Sequence, residues 1–356
     1  MVRINWLYGL GLSLSLTGLC SAQQPAVTQA GNAGTPAAQS AVVESPTVPQ
    51  VNVDQVQCTQ PGTCTPAAPE SVFTPGCGTY EVCDATDSKL FGLFARSDHQ
   101  FDCFISPMTN PVYFEDPRTL TEARLIFANH HLPTALGGQN VQLVALQARA
   151  ALTENLSIIA TKDGFFFSQN PLLDDGFADV NAGLKYNLYK DVESQTLLST
   201  GFTFGIPLGT TGTLQGRGSG EFNLFLSGAK QIGDYWHVIS TFGARIPADT
   251  ALQSQSTYWS NHLDRQIGNT GFYLFTEANW YHWLSSGNAF PVGVEGLDLF
   301  NLGSTDVAGN DIVTGAYGVK YKPNGHVEIG LAYEIPYTDR RDIIQDRITA
   351  DLILRY

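Results

Sequence analysis

Alternation of apolar and polar side chains governs the chain from about residue 119 onward. In "FADVNAGLKYNLY", Ala178, Val180, Ala182, Leu184, Tyr186 and Leu188 share one face, and Asp179, Asn181, Gly183, Lys185 and Asn187 share the other. The same period runs through "TLLSTGFTFGIPLG", "EFNLFLSGAK" and "HVEIGLAYEIPY". A period of two marks β-strands with chemically distinct faces. Less regular stretches begin near Glu122, Gln139, Asn155, Tyr235, Gly271, Phe290, Asp311 and Ile343, which brings the predicted count to twelve. Turn-forming clusters such as "ALGGQN", "PLLDDG", "STDVAGND" and "KPNGH" separate them. Short turns alternate with longer polar segments, of which 247–269 is read as one.

Alternation alone does not name the solvent, because a soluble sandwich alternates too. Here the strands run about nine or more residues, the length a tilted membrane-crossing strand needs. Their polar faces carry Gly, Ser, Asn, Thr and single charges rather than dense Lys and Glu. Aromatics gather near strand ends: Trp236, Trp280, Trp283, Tyr321, Tyr333, Tyr337 and Tyr356 are expected to form interface girdles. The expected fold is all-β, an antiparallel transmembrane β-barrel of about 12 strands over 119–356.

Composition narrows the reading. Charged residues are only 15 %, glycines number 35 and aromatics reach 11 %, which suits a β protein with many turns. A net charge of −14 argues against nucleic acid as a partner. Mean hydropathy of −0.06 is too polar for a helical membrane protein.

Ahead of the barrel the pattern differs. Residues 1–22 read as a signal peptide, with Arg3 before an apolar stretch and Ala22 at the cleavage position. A lipid anchor at Cys20 is the alternative, set back by Leu19 where a lipobox has a small residue. Residues 23–76 form an Ala/Pro/Gln/Thr-rich linker with too little apolar surface to order itself, and 77–118 a cysteine-containing pre-barrel segment. Together they predict a disordered, cysteine-bearing extension. Cys58, Cys64, Cys77 and Cys83 pair by equal spacing into two candidate disulfides, leaving Cys103 over; other pairings stay open. C-x5-C is not the spacing zinc favours, so no metal site and no cofactor is expected.

Two stretches carry a resemblance. "GFADVNAGLKY" (176–186) resembles the G-x-G-D-x-x-x-G-L-K-Y signature of the outer-membrane barrel family associated with the phenol meta-degradation pathway, with Ala178 at one motif glycine. "FISPMTNPVYFEDPRTLTEARLIF" (104–127) is similar to the opening segment of related outer-membrane transporters. The final "LILRY" resembles the signal by which the barrel-assembly machinery recognises its clients, with Leu352, Leu354 and Tyr356 carrying it. The resemblance spans roughly 104–356. It implies porin-like uptake of hydrophobic or aromatic compounds, an outer-membrane location after export, and as partners outer-membrane lipids, the assembly machinery and a small-molecule solute.

The candidate chemistry lies on inward faces. Arg124, Arg149, Asp179, Lys185, Glu221, Arg245, Glu277, Lys320, Glu328, Glu334, Arg347 and Arg355 are the expected lumen-lining residues. They would act either as an electrostatic lining that selects solutes or as ion pairs that plug a narrow bore. In the last strand Asp351 joins Arg355 on the lumen side. "HVIS" (His237 to Ser240) and "WSNHLD" (Trp259 to Asp264) hold hydrolase residue types at the wrong spacing, so no catalytic residue is assigned. Adjacent His130 and His131 face opposite ways, and the acidic turns "LLDDG" and "STDVAGND" read as solvated rather than calcium-binding. The expected function is passive or facilitated passage of small solutes across an outer membrane. The alternatives are an outer-membrane hydrolase of lipids and a structural barrel anchoring the extension.

Overall fold

The computed structural model describes residues 89–356. The signal peptide, the linker and Cys58, Cys64, Cys77 and Cys83 lie outside the described residues. From Glu122 the chain builds strand segments in sequence order: β1 (Glu122–His131), β2 (Asn140–Ala151), β3 (Leu156–Lys162), β4 (Phe165–Ser168), β5 (Gly176–Phe177), β6 (Val180–Asp191) and β7 (Thr196–Ile206). They continue as β8 (Glu221–Ile232), β9 (Trp236–Pro247), β10 (Gln255–Gln266), β11 (Phe272–Ser285), β12 (Asp311–Asn324), β13 (Val327–Pro336) and β14 (Asp346–Arg355).

Every pairing is antiparallel, and two strands are broken. β3 and β4 both pair with β2 and make one interrupted stave. β5 and β6 pair with them in turn and make the next. The result is a closed barrel of twelve staves. Closure is direct. β1 runs in unbroken register along β14, from Glu122 opposite Arg355 to His131 opposite Asp346. It runs equally along β2, from Glu122 opposite Arg149 to His131 opposite Asn140. No strand edge is left unpaired at this seam.

The first break has a local cause. Gly164 takes φ +115°, and a Cβ there would sit 2.4 Å from the Val144 carbonyl oxygen. Beside it the Asp163 carboxylate accepts the Leu146 amide hydrogen that the interrupted ladder leaves free, at 2.8 Å.

Connections at one end are short (152–155, 192–195, 233–235, 267–271 and 325–326). At the other they are longer (132–139, 169–175, 207–220, 248–254, 286–310 and 337–345). The wall is inverted relative to a soluble protein: Leu125, Leu146, Leu226, Phe242, Leu274 and Leu331 stand exposed outside, while charged side chains are buried inside. An apolar exterior around a polar interior is the arrangement of a barrel surrounded by hydrocarbon.

Four expectations need correction. The segment near Phe290 is not a strand but lies in the 286–310 connection, touching Ser304 through one isolated bridge. In its place β10 runs through 255–266, inside the stretch expected to be a loop. Its outward Trp259 and Asn261 and inward Tyr258 and His262 blur the alternation that hydropathy reads. Ala178 faces inward, buried, because the break before β6 resets the parity. Trp283 is buried against the lumen cluster of Tyr113, Tyr258 and Phe300 rather than standing in an outer girdle.

Candidate functional site

The interior is where the charged residues meet. It is occupied by the stretch preceding β1. Residues 101–121 enter at the short-turn end, climb through the lumen to a turn at Asn110–Tyr113, where the Tyr113 and Phe114 amides donate to the Asn110 carbonyl, and return to begin β1; every residue from Phe104 to Glu122 is buried. Three prolines (Pro107, Pro111 and Pro117) punctuate this region, and a chain without regular structure cannot satisfy its own backbone. The barrel wall does so instead. Glu277 of β11 accepts the backbone amides of Met108 and Thr109 at 2.8 and 2.6 Å, and also the Thr109 hydroxyl. Glu328 of β13 accepts the Ser106 amide at 3.1 Å. Ser227 and Thr241 donate to the Glu115 carbonyl at 2.6 and 3.1 Å.

Charges couple this strap to the wall. Glu115 is gripped by the Arg149 guanidinium through two bonds of 2.8 and 2.6 Å, and by the Lys185 ammonium at 2.8 Å. Arg118 staples the two limbs of the strap to each other, bonding Asp116 at 2.6 Å and the Phe104 carbonyl at 2.8 Å. Near the short-turn end Arg355 bridges Glu122 and Glu328 at 2.7 and 2.5 Å, and its other nitrogen reaches the Ser106 hydroxyl at 2.8 Å. Lys320 lies 3.1 Å from both Glu328 and Asp351, and Arg124 lies 2.8 Å from Asp351. A chain of polar contacts runs along β9, β10 and β11. His237 meets Asp264 at 2.6 Å, Asp264 meets His262 at 3.1 Å, and His262 meets Glu277 at 2.7 Å.

From the long-loop end the 286–310 connection folds inward. Arg347 pairs with Asp298 of this loop and with Glu334 of β13, at 2.8 and 2.7 Å. Arg245 pairs with Glu221 through its Nε at 3.0 Å, donates to the Leu297 carbonyl at 2.6 Å, and lies over the Tyr113 ring. Leu297, Leu299, Phe300 and Leu302 of the loop pack on Val112 and Tyr113 of the strap. Asp342, in the 337–345 connection outside the strands, accepts the Glu295 amide at 3.0 Å. Burial pushes its carboxyl up to about 6, against the pull of Arg340 at 2.7 Å.

Of the residues expected on the lumen face, eleven converge on this strap, on the inward loop or on one another. Asp179 is set apart: its carboxylate accepts the Gly209 and Gly216 amides at 2.9 and 2.8 Å and so fixes the 207–220 loop over the mouth. Sequence reasoning passed over Glu122, Lys322, His262 and Asp264, although their strand parity matches that of neighbouring inward residues. It also passed over Glu115, Asp116, Arg118 and Asp298, which lie on no strand and carry no period to read. Cys103, expected to be left over, is disulfide-bonded. Every other cysteine of the chain lies in 1–88, so its partner is outside the described residues. The hydrolase constellation does not assemble. Ser240 bonds Asn261 at 2.8 Å, whereas His237 is buried in the lumen. Ser260 receives the Asn110 amide, and both His262 nitrogens engage carboxylates, so His262 offers no free nitrogen to accept a serine proton.

The fold is that of outer-membrane channels. An outer membrane channel from Pseudomonas putida F1 superposes with a TM-score of 0.50 at 12% identity, over 71% of this chain and 100% of that one. The NanC porin (TM-score 0.44, 8% identity, 66% of this chain and 98% of that one) and the KdgM porin in complex with disordered oligogalacturonate (0.40, 9%, 65% and 99%) are further neighbours. No protein-family model and no curated protein matches the sequence.

Proposed function

We propose that the protein is an outer-membrane channel for small solutes whose lumen is held closed by its own pre-barrel strap. The observation that carries this reading is the chemistry of the strap's attachment. It is held in the lumen largely by hydrogen bonds and ion pairs, the contacts that water replaces most readily once it enters. A buried ion pair adds little net stability against a well-packed apolar alternative. A strap meant only as permanent filling would be better served by leucines. The wall charges it covers would, on its release, line a hydrated bore and select among solutes by charge. The apolar exterior and the fold shared with outer-membrane channels support the location. Preference for hydrophobic or aromatic solutes is the finer part of the proposal. It rests on the family resemblance carried by residues 176–186.

Planar bilayers test it. The native barrel is expected to be silent or to open rarely, and a variant with a weakened strap to give stepwise conductance. A barrel that stays silent with its strap demonstrably released would overturn the channel reading, and fatty-acid release from lipid by that silent barrel would put a hydrolase in its place.

A further inference from the structure

Below the 207–220 loop, where β3, β6, β8 and β9 meet the long-loop end, a polar cavity of about 30 Å³ remains between wall and loops. That is room for about two water molecules, or for a small carboxylate if the loop lifts slightly. Its lining is chemically unbalanced. Arg245 is neutralised by Glu221, and Asp179 is satisfied by two backbone amides. Lys162 and Arg217 are not neutralised in this way. The Lys162 ammonium has no hydrogen bond or ion pair among the described residues, and the buried Nε of Arg217 has no partner. Two buried carboxamides add unused capacity: Gln253, 7% exposed, whose buried Oε1 is unpartnered, and Asn181, 5% exposed, whose side chain bonds to no described group. Buried polar groups are normally paired, and here the buried Arg217 Nε–H is unanswered while the Lys162 and Asn181 donors border the cavity unbound, so the lining offers donors it does not use.

We propose that this cavity is a binding site for a small monocarboxylate. The carboxylate would take a charge-assisted hydrogen bond from Lys162 and neutral ones from the amide groups of Asn181 and Gln253, with Arg217 supplying a second positive charge from the loop. The net lining charge fits one negative charge and not two: Lys162, Arg217 and Arg245 stand against Asp179 and Glu221. A dianion such as sulfate would face both carboxylates at close range. The site is independent of conduction, since its occupancy is measured on the detergent-solubilised barrel whether or not that barrel opens.

The test is line broadening of ¹³C-acetate by the purified full-length protein, with acetamide and sulfate as competitors. Acetate is expected to broaden, acetamide to compete at least about tenfold more weakly, and sulfate not to compete. Lys162→Met should abolish the broadening, Lys162→Arg should restore it, and Arg217→Gln should weaken it severalfold. Each variant is first confirmed as folded by its heat-modifiable mobility in gels. Undiminished broadening with folded Lys162→Met, equal competition by acetamide, or displacement by sulfate would each overturn the proposal. If Lys162→Met does not fold, Asn181→Ala and Arg217→Gln carry the same test.

Discussion

Glu115 is the point at which the strap is most easily cut loose. Its carboxylate holds Arg149 and Lys185 together, and among the described residues Lys185 has no other carboxylate within ion-pair distance; it also donates to the Asp116 carbonyl at 2.5 Å. In Glu115→Gln the side chain keeps its size and loses its charge. Arg149 retains Glu122 at 3.0 Å, but the ammonium of Lys185, with no exposure to solvent, is left uncompensated. Removing one partner of a buried pair costs about 3–5 kcal/mol. The released strap lets water reach Lys185, so the docked–released equilibrium should shift by a factor of about 10² to a few times 10³ toward release. Trypsin reads this directly, because Arg118 is buried in the docked strap and becomes cleavable once the strap leaves. Cleavage after Arg118, followed by fragment mass on heat-modifiable barrel, should accelerate by that factor, and bilayer openings should become frequent. Glu115→Gln combined with Lys185→Met removes the stranded charge and should recover part of the protection. Wild-type protection of Arg118 in folded Glu115→Gln would refute the reasoning.

Other expectations follow from the same geometry. Burial holds Asp342 up near 6, above its ordinary 3.8, so the contribution is fully present below 3.8 and is lost as pH rises through 6. Hydrogen exchange in the 286–310 loop, corrected for intrinsic rates, should therefore slow on going from pH 7.5 to 5, and Asp342→Asn should remove that dependence. At Gly243 a Cβ would lie 2.3 Å from the Tyr258 hydroxyl and 2.7 Å from the Leu224 carbonyl, so Gly243→Ala should cost about 1–3 kcal/mol in urea unfolding. Leu226, exposed halfway along β8, should cost about 2–4 kcal/mol when replaced by Arg, whereas replacement by Met should be nearly neutral. Deleting 354–356 removes Arg355, the bridge between Glu122 and Glu328, and with it Leu354 and Tyr356 of the proposed assembly signal. The yield of heat-modifiable barrel should fall severalfold, and an unchanged yield would count against both roles.

Much of the wall was legible because its signal is geometric. Leu184, Lys185 and Tyr186 announce outside, inside and outside through parity alone, and β14 does the same from Ile348 to Arg355. Legibility failed where parity is interrupted or where outward residues are polar. The break at Ala178 and Asp179 flips the register without any change in hydropathy, and β10 hides its strand behind Asn261 and His262. The strap was illegible for a deeper reason. "SPMTNPVYFEDPR" reads as a loop by every local criterion, and it is irregular. What distinguishes it is that its amides and charges are answered from β2, β6, β11 and β13, far along the chain, and no local pattern records that. A hint did exist: Glu115, Asp116 and Arg118 crowd into a few residues just ahead of the first strand, beside a wall whose inward cations outnumber the carboxylates next to them.

The strap and the first strand are one continuous piece of chain, with Glu122 as both the end of one and the beginning of the other. The strap enters and returns at the same end, so it can dock in and leave the closed cylinder without being threaded through it. Tension follows from the same continuity. Any pull that draws the strap toward the short-turn end is delivered to Glu122, where Arg149 on one side and Arg355 on the other clamp the seam. The strap and the hoop that keeps the cylinder round are therefore fastened by the same carboxylate.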